Sequence, residues 1–145
     1  MKRFSQILCI VLVFVMILST TAFAAETAEP RASNYFSASS VYFWHTSGNN
    51  YQIWFDVTAL GTMQKLGASY ITVERSTDLE DWDDVRSYDM ADYTQMTKNN
   101  AYTYANCVPF TATTGYAYRA IVTLYAKNSS GTGEMDETTA LLDLR

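Results

Sequence analysis

Residues 41–58 alternate between two kinds of side chain, and that period of two constrains the fold more than any other feature. Val41 and Phe43 take turns with Tyr42 and Trp44. After Thr46-Ser47-Gly48-Asn49-Asn50, the residues Tyr51, Ile53, Phe55 and Val57 take turns with Gln52, Trp54, Asp56 and Thr58. Successive side chains of a strand point to opposite faces, so this text reads as a β-hairpin with one apolar face. Closing the loop with Thr46 opposite Asn50 sets Phe43 against Ile53 and Val41 against Phe55. A slip of one residue would set Phe43 against Gln52, so the pattern selects its own register. Three loop residues around Gly48 suit a hairpin with a left-handed position.

The same strand-and-turn texture runs to the C-terminus. Leu66 to Ser76 reads as a strand with Ile71 and Val73 inward, and Val85 to Tyr88 as a short one after the acidic loop Asp78–Asp84. In Asp89 to Asn100, Met90, Tyr93 and Met96 mark either a short helical turn or loop anchors. Tyr102 to Phe110 is again a strand, with Pro109 suiting a strand end or an edge. Gly115 opens the longest strand, and the turn Asn128-Ser-Ser-Gly-Thr-Gly leads to a last strand around Thr138 to Leu144. About seven strands at this turn spacing predict an all-β fold, an antiparallel β-sandwich.

The N-terminus reads as an export signal. Lys2 and Arg3 precede an unbroken apolar run from Ile7 to Leu18, and Ala22-Phe23-Ala24 supplies the small-x-small pattern of a cleavage site after Ala24. Twelve apolar residues span only about 18 Å as a helix, short of a hydrocarbon core of about 30 Å. The run is therefore expected to be removed, leaving no stable membrane anchor and a secreted, extracellular protein. The expected organisation is a signal peptide at 1–24, a disordered leader at 25–34 and a single domain at 35–145. Removing residues 1–24 from 145 leaves eight basic against fifteen acidic residues, a formal charge of −7. That balance excludes nucleic acid as an expected partner, because a phosphate backbone is held by clustered Lys and Arg. Cys9 leaves with the signal, so Cys107 has no partner for an intrachain disulfide. Stability must come from packing of the many aromatic side chains.

Two segments resemble an immunoglobulin-like or fibronectin type III sandwich. Ile71-Thr-Val-Glu-Arg-Ser-Thr-Asp-Leu-Glu-Asp-Trp82-Asp-Asp-Val85 is similar to the third strand and following turn of such modules. Tyr116-Ala-Tyr-Arg-Ala-Ile-Val-Thr-Leu-Tyr-Ala-Lys-Asn128-Ser-Ser-Gly131 resembles their penultimate strand and hairpin. The match departs at Trp54: such modules bury a Trp in the second strand, and Trp54 stands in the polar-facing phase. The whole chain also resembles a family of small secreted proteins of Gram-positive bacteria with no assigned function. The residues that carry this are Val57-Thr-Ala-Leu-Gly-Thr-Met63, Leu66-Gly-Ala68, the Trp82 turn and Tyr116-Ala-Tyr-Arg. That resemblance implies a compartment and a lineage, and no activity.

Candidate chemistry is sparse. A hydrolytic triad needs a nucleophile, a base and an orienting group. The sole histidine, His45, and Cys107 are the only candidates for a thiol dyad, and nothing else marks them, so no enzyme is expected. Cys107 reads as a small buried strand residue, with pairing between chains as the alternative. Asp78, Glu80, Asp81, Asp83 and Asp84 invite a calcium reading, but they lack the Asp-x-Asp-x-Asp-Gly spacing of a known loop. A solvated turn with Trp82 folded back onto the domain is the preferred reading, and no cofactor or metal is expected. Asn128-Ser129-Ser130 fits a glycosylation acceptor, but the bacterial character of the signal favours a plain turn.

The hairpin register makes the sharpest functional expectation. With Val41, Phe43, Ile53 and Phe55 inward, Tyr42 lies opposite Trp54 on the outer face, with Trp44 diagonally adjacent. Flat aromatic strips of this kind stack on sugar rings or pack on proteins, although cross-strand pairs also serve simply to stabilise a sheet. The sequence therefore points to a non-catalytic extracellular binding module for a cell-surface glycan or another protein, contacting it through Tyr42, Trp44 and Trp54. A self-associating surface or matrix component is the alternative.

Overall fold

A computed structural model describes residues 34–145. The expected signal peptide, its cleavage after Ala24 and the leader up to Ser33 lie outside the described residues. The elements are β1 (Phe36–Ser47), β2 (Asn50–Ser76), β3 (Asp83–Asp89), a 3-10 turn (Thr94–Met96), β4 (Thr97–Thr111), β5 (Ala117–Asn128), β6 (Gly131–Thr138) and β7 (Leu142–Asp143). All seven strands belong to one antiparallel hydrogen-bonded sheet. The sheet is curled into a half-barrel.

The curl originates in β2. A strand of 27 residues would be roughly 90 Å long if straight, far beyond a domain of this size with a radius of gyration of about 13 Å. It bends in its middle. Thr58 pairs with Thr103 and Met63 with Ala101, so the four β2 residues between them oppose Tyr102 alone. Extra residues on one strand of a pair bend it and increase its twist. At the same place the opposite edge of β2 changes partner, from β1 (ending at Ala59) to β5 (starting at Lys65). The other edge is lined by β4 and then β3. The separate expected strands 51–58 and 66–76 are thus one strand with a corner in it.

The bend brings apolar side chains from both halves of β2 onto one concave face. Ile53, Phe55 and Val57 from the first half, and Leu66, Ile71 and Val73 from the second, are fully buried. Val108 of β4 and Val122 and Leu124 of β5 complete the centre. Two aromatic contacts tie the halves across the fold: Phe110 on β4 meets Tyr118 on β5 edge-on at 5.2 Å, and the Tyr88 hydroxyl on β3 donates to the Pro109 carbonyl. Met96 is buried and Met90 and Tyr93 pack against the core, so the 89–100 stretch holds both a 3-10 turn and anchors.

The hairpin has the expected register, with Val41 opposite Phe55, Tyr42 opposite Trp54 and Phe43 opposite Ile53. Its turn is tighter than expected. Ser47, not Thr46, faces Asn50, with an irregularity after His45 and a two-residue turn at Gly48-Asn49, Gly48 having φ 54°. Thr46 Oγ1 then donates to the Asn50 carbonyl at 2.8 Å, which fills the gap its displacement leaves. The last long strand also differs from expectation. It is β6 at Gly131–Thr138, directly after the turn, while only Leu142–Asp143 of the later segment pairs with β5. Gly-Thr-Gly-Glu-Met-Asp-Glu-Thr is poor strand text. Gly133 is required because the Tyr35 ring packs on it, with ring atoms 2.3 Å from where a Cβ would stand.

Gly67 has a stricter neighbour. A Cβ there would stand 2.1 Å from the Met96 carbonyl oxygen and 2.8 Å from Thr97 Cα, both backbone atoms that cannot rotate away. Gly67→Ala should therefore destabilise the domain by roughly 2–3 kcal/mol and lower its melting temperature by about 10 °C. A thermal melt followed by circular dichroism checks this. A shift within about 2 °C would mean that β2 and the 3-10 turn are not packed backbone to backbone.

Candidate functional site

Two surfaces on opposite faces of the sheet carry chemistry. The first is the convex face of β1, β2 and β4. Tyr42 and Trp54 lie opposite each other on neighbouring strands, with rings parallel to within 4° and centroids 6.5 Å apart. The Trp54 indole N–H donates to Gln52 Oε1 at 3.0 Å, which fixes the ring against the sheet. Trp44, two residues along β1, is opposite Gln52 and is 59% exposed. Tyr42 is exposed and Trp54 half-buried, so the three form a graded platform from sheet surface to solvent. Alternation with inward Val41, Phe43, Ile53 and Phe55 is what drives all three outward.

Cys107 stands on β4 directly opposite Trp54, at the margin of this platform. It is half-buried, and burial pushes its thiol up from the ordinary range, which disfavours the thiolate that a nucleophile needs. His45 shares the concave phase with Phe43 and Ile53. Its ring packs on Tyr51 at 5.1 Å and its Nε2 bonds the Gly48 carbonyl at 2.9 Å. The register places His45 and Cys107 on opposite faces, so the structure does not bring the two together.

The acidic loop is organised by its own backbone. Ser76 Oγ accepts the Leu79 N–H at 2.8 Å, and Asp78 Oδ1 accepts those of Glu80 and Asp81 at 2.9 and 3.0 Å. The Glu80 and Asp81 N–H groups, with the Ser76 hydroxyl, hold the Asp78 carboxyl below its ordinary value. Among the described residues no group of three or more His, Cys, Asp or Glu is gathered as a metal site. Trp82 folds back as expected: its indole donates to the Leu79 carbonyl, and the Arg119 guanidinium lies over its ring at 4.2 Å. Arg119 is in turn held by Glu74.

The second surface has no counterpart in the sequence reading. On the concave side a cleft of about 420 Å³ opens between β3 and the end of β4. Arg75, Arg86, Tyr88, Phe110, Thr113 and Tyr118 line it. The Arg75 guanidinium lies over the Tyr116 ring at 4.5 Å, and its Nε is buried with no hydrogen-bond partner. An unsatisfied buried donor costs about 1–3 kcal/mol, more when charged. Arg86 lies over the Tyr88 ring at 5.2 Å and donates to the Tyr93 hydroxyl at 3.2 Å. The signal that existed was two arginines on either side of the acidic loop, and the pairing of β2 with β3, Val73 opposite Arg86, sets them near each other on one face.

No protein-family model matches the chain, and no curated protein matches it. A solved structure titled "X-ray structure of Northeast Structural Genomics Consortium target SoR45" is similar over 75% of this chain and 88% of its own, at 9% identity and a TM-score of 0.34. That likeness is too distant to carry a functional argument.

The Asp78 contacts set a pH dependence. A carboxyl whose value is lowered by folding stabilises the fold above its unfolded value of 3.8, and the contribution is lost as pH falls through the folded value. Asp78→Ala should lower the melting temperature at neutral pH. The gap from the parent protein should close as pH drops below 3.8. Melts at several pH values read this directly, and a gap that stays constant into acid would show that the loop does not depend on the ionised carboxylate.

Proposed function

We propose that this chain is an exported, non-catalytic binding module that engages a cell-surface glycan or another secreted protein through Tyr42, Trp44 and Trp54. The observation that carries this is the parallel Tyr42–Trp54 pair with exposed Trp44 beside it, a flat aromatic platform on the outer face of a sheet. Exposed aromatic platforms are unfavourable in water, and they suit sugar rings and apolar protein surfaces alike. Export rests on the signal-like N-terminus and on the resemblance to small secreted proteins of Gram-positive bacteria. Among the described residues no helix is long and apolar enough to cross a membrane.

We further infer that the domain is a sandwich of the fibronectin type III kind whose second and third strands are fused into β2. In support, β1, the first half of β2 and the end of β4 pair on one side of the corner in the sheet, and β3, the second half of β2, β5 and β6 on the other. Tyr118, near the start of β5, exchanges hydrogen bonds with the backbone of Thr113 at 2.9 and 3.1 Å. A tyrosine that bonds back to the chain a few residues upstream is a hallmark of immunoglobulin-like domains.

A second reading, self-association, draws on β4. This strand pairs with β2 alone, so its outer edge is unpaired among the described residues, and it carries Cys107. Size-exclusion chromatography across concentrations, with and without reductant, separates the two readings.

For the binding reading, Trp44→Ala should weaken glycan or protein binding by about tenfold and leave the melting temperature unchanged, since the ring is mostly in water. Trp54→Ala should weaken binding and also lower stability, because its ring is half-buried. A glycan array followed by titration of the hits checks both. Silence on the array together with a concentration-dependent dimer would favour self-association instead.

A further inference from the structure

We propose that the cleft on the concave face is a second binding site, for a carboxylate carried on a ring, of the uronic-acid class. Four arginines stand among the described residues. Arg119 is paired with Glu74 and Arg145 with Asp143, while Arg75 and Arg86 have no carboxylate of the described residues within ion-pairing distance. Both unpaired arginines line the same cleft. Chance pairing would run the other way, because the chain carries fifteen acidic residues against ten basic. Arg75 in addition holds a buried Nε–H with no acceptor. Guanidinium groups bind carboxylates in a two-pronged, planar fashion, and the cleft offers two of them with no carboxylate of the described residues to pair with.

The rest of the wall says what the carboxylate is attached to. Tyr88, Phe110 and Tyr118 lie buried at the base of the cleft, while the exposed Val85 and Pro109 present apolar surface and Thr111 and Thr113 contribute hydroxyls. A bare inorganic anion would leave the exposed Val85 and Pro109 uncovered. A neutral sugar would leave two guanidinium groups without a counter-charge. A pyranose acid answers both, and a cleft of about 420 Å³ has room for one such ring. The site is separate from the aromatic platform, which lies on the opposite face of the sheet.

The test is an NMR titration of the ¹⁵N-labelled protein with glucuronate, using glucose as the neutral counterpart and inorganic phosphate as the bare anion. Glucuronate should move the Arg75 and Arg86 side-chain signals and the backbone amides of Val85 and Thr111, and glucose should not. Phosphate should bind more weakly than glucuronate. Arg86→Gln, at an exposed position, should keep the parent melting temperature and weaken glucuronate at least tenfold. Arg75→Lys, which keeps the charge and loses the fork, should weaken it as well. Trp44→Ala should leave glucuronate binding intact, so this site and the platform fail or succeed independently. Equal response to glucose, equal or tighter binding of phosphate, or unchanged affinity in Arg86→Gln would overturn the proposal.

Discussion

The bend in β2 is the constraint on which the rest of the molecule depends. A strand too long for its domain must turn a corner, and here it does so where four of its residues oppose one. Everything that is buried follows from that corner. Neither half of β2 has a partner layer of its own until the bend carries Ile53 and Phe55 over against Ile71, Val73 and the β5 residues Val122 and Leu124. Among the described residues the one cysteine, Cys107, is free, so this packing and the cross-fold contacts of Phe110, Tyr118 and Tyr88 hold the halves together.

Curvature also sorts the two candidate surfaces. On the convex side side chains diverge, which leaves Tyr42, Trp44 and Trp54 as a shallow platform suited to a flat partner. On the concave side they converge, and where the core stops short of the sheet's end the remaining space is the arginine cleft. One face offers apolar area with little charge. The other offers charge above buried aromatic rings.

Polar groups near the corner and the turns are mostly spent on structure. Ser76 and Asp78 satisfy the backbone of the acidic loop, Glu74 holds Arg119 over Trp82, and Tyr118 secures the approach to β5. Against this background the unpartnered Nε of Arg75 stands out, since buried polar groups are otherwise paired. The Asp78–Asp84 loop shows the same economy in reverse: Asp78, the carboxylate most engaged there, is committed to N–H groups of its own turn.

The local pattern alone determined the all-β class, the hairpin register, the inward set Val41, Phe43, Ile53, Phe55, Ile71 and Val73, and the outward Tyr42, Trp44 and Trp54. Each of these follows from a period of two over a few residues, a property that neighbours in the chain settle between themselves. The tertiary structure decided what depends on distant residues. The fusion of two strands into β2 was hidden because its buried positions change phase, from odd numbers through Ala59 and Met63 to even at Leu66 and Ala68 and back to odd at Ile71. The strand β6 was hidden because Gly133 is chosen for the Tyr35 ring, a contact roughly a hundred residues away, and not for strand propensity. The arginine cleft was hidden in part for the same reason: strand pairing makes Arg75, Arg86 and Tyr118 neighbours, but only the curl of the sheet brings Phe110 of β4 against them.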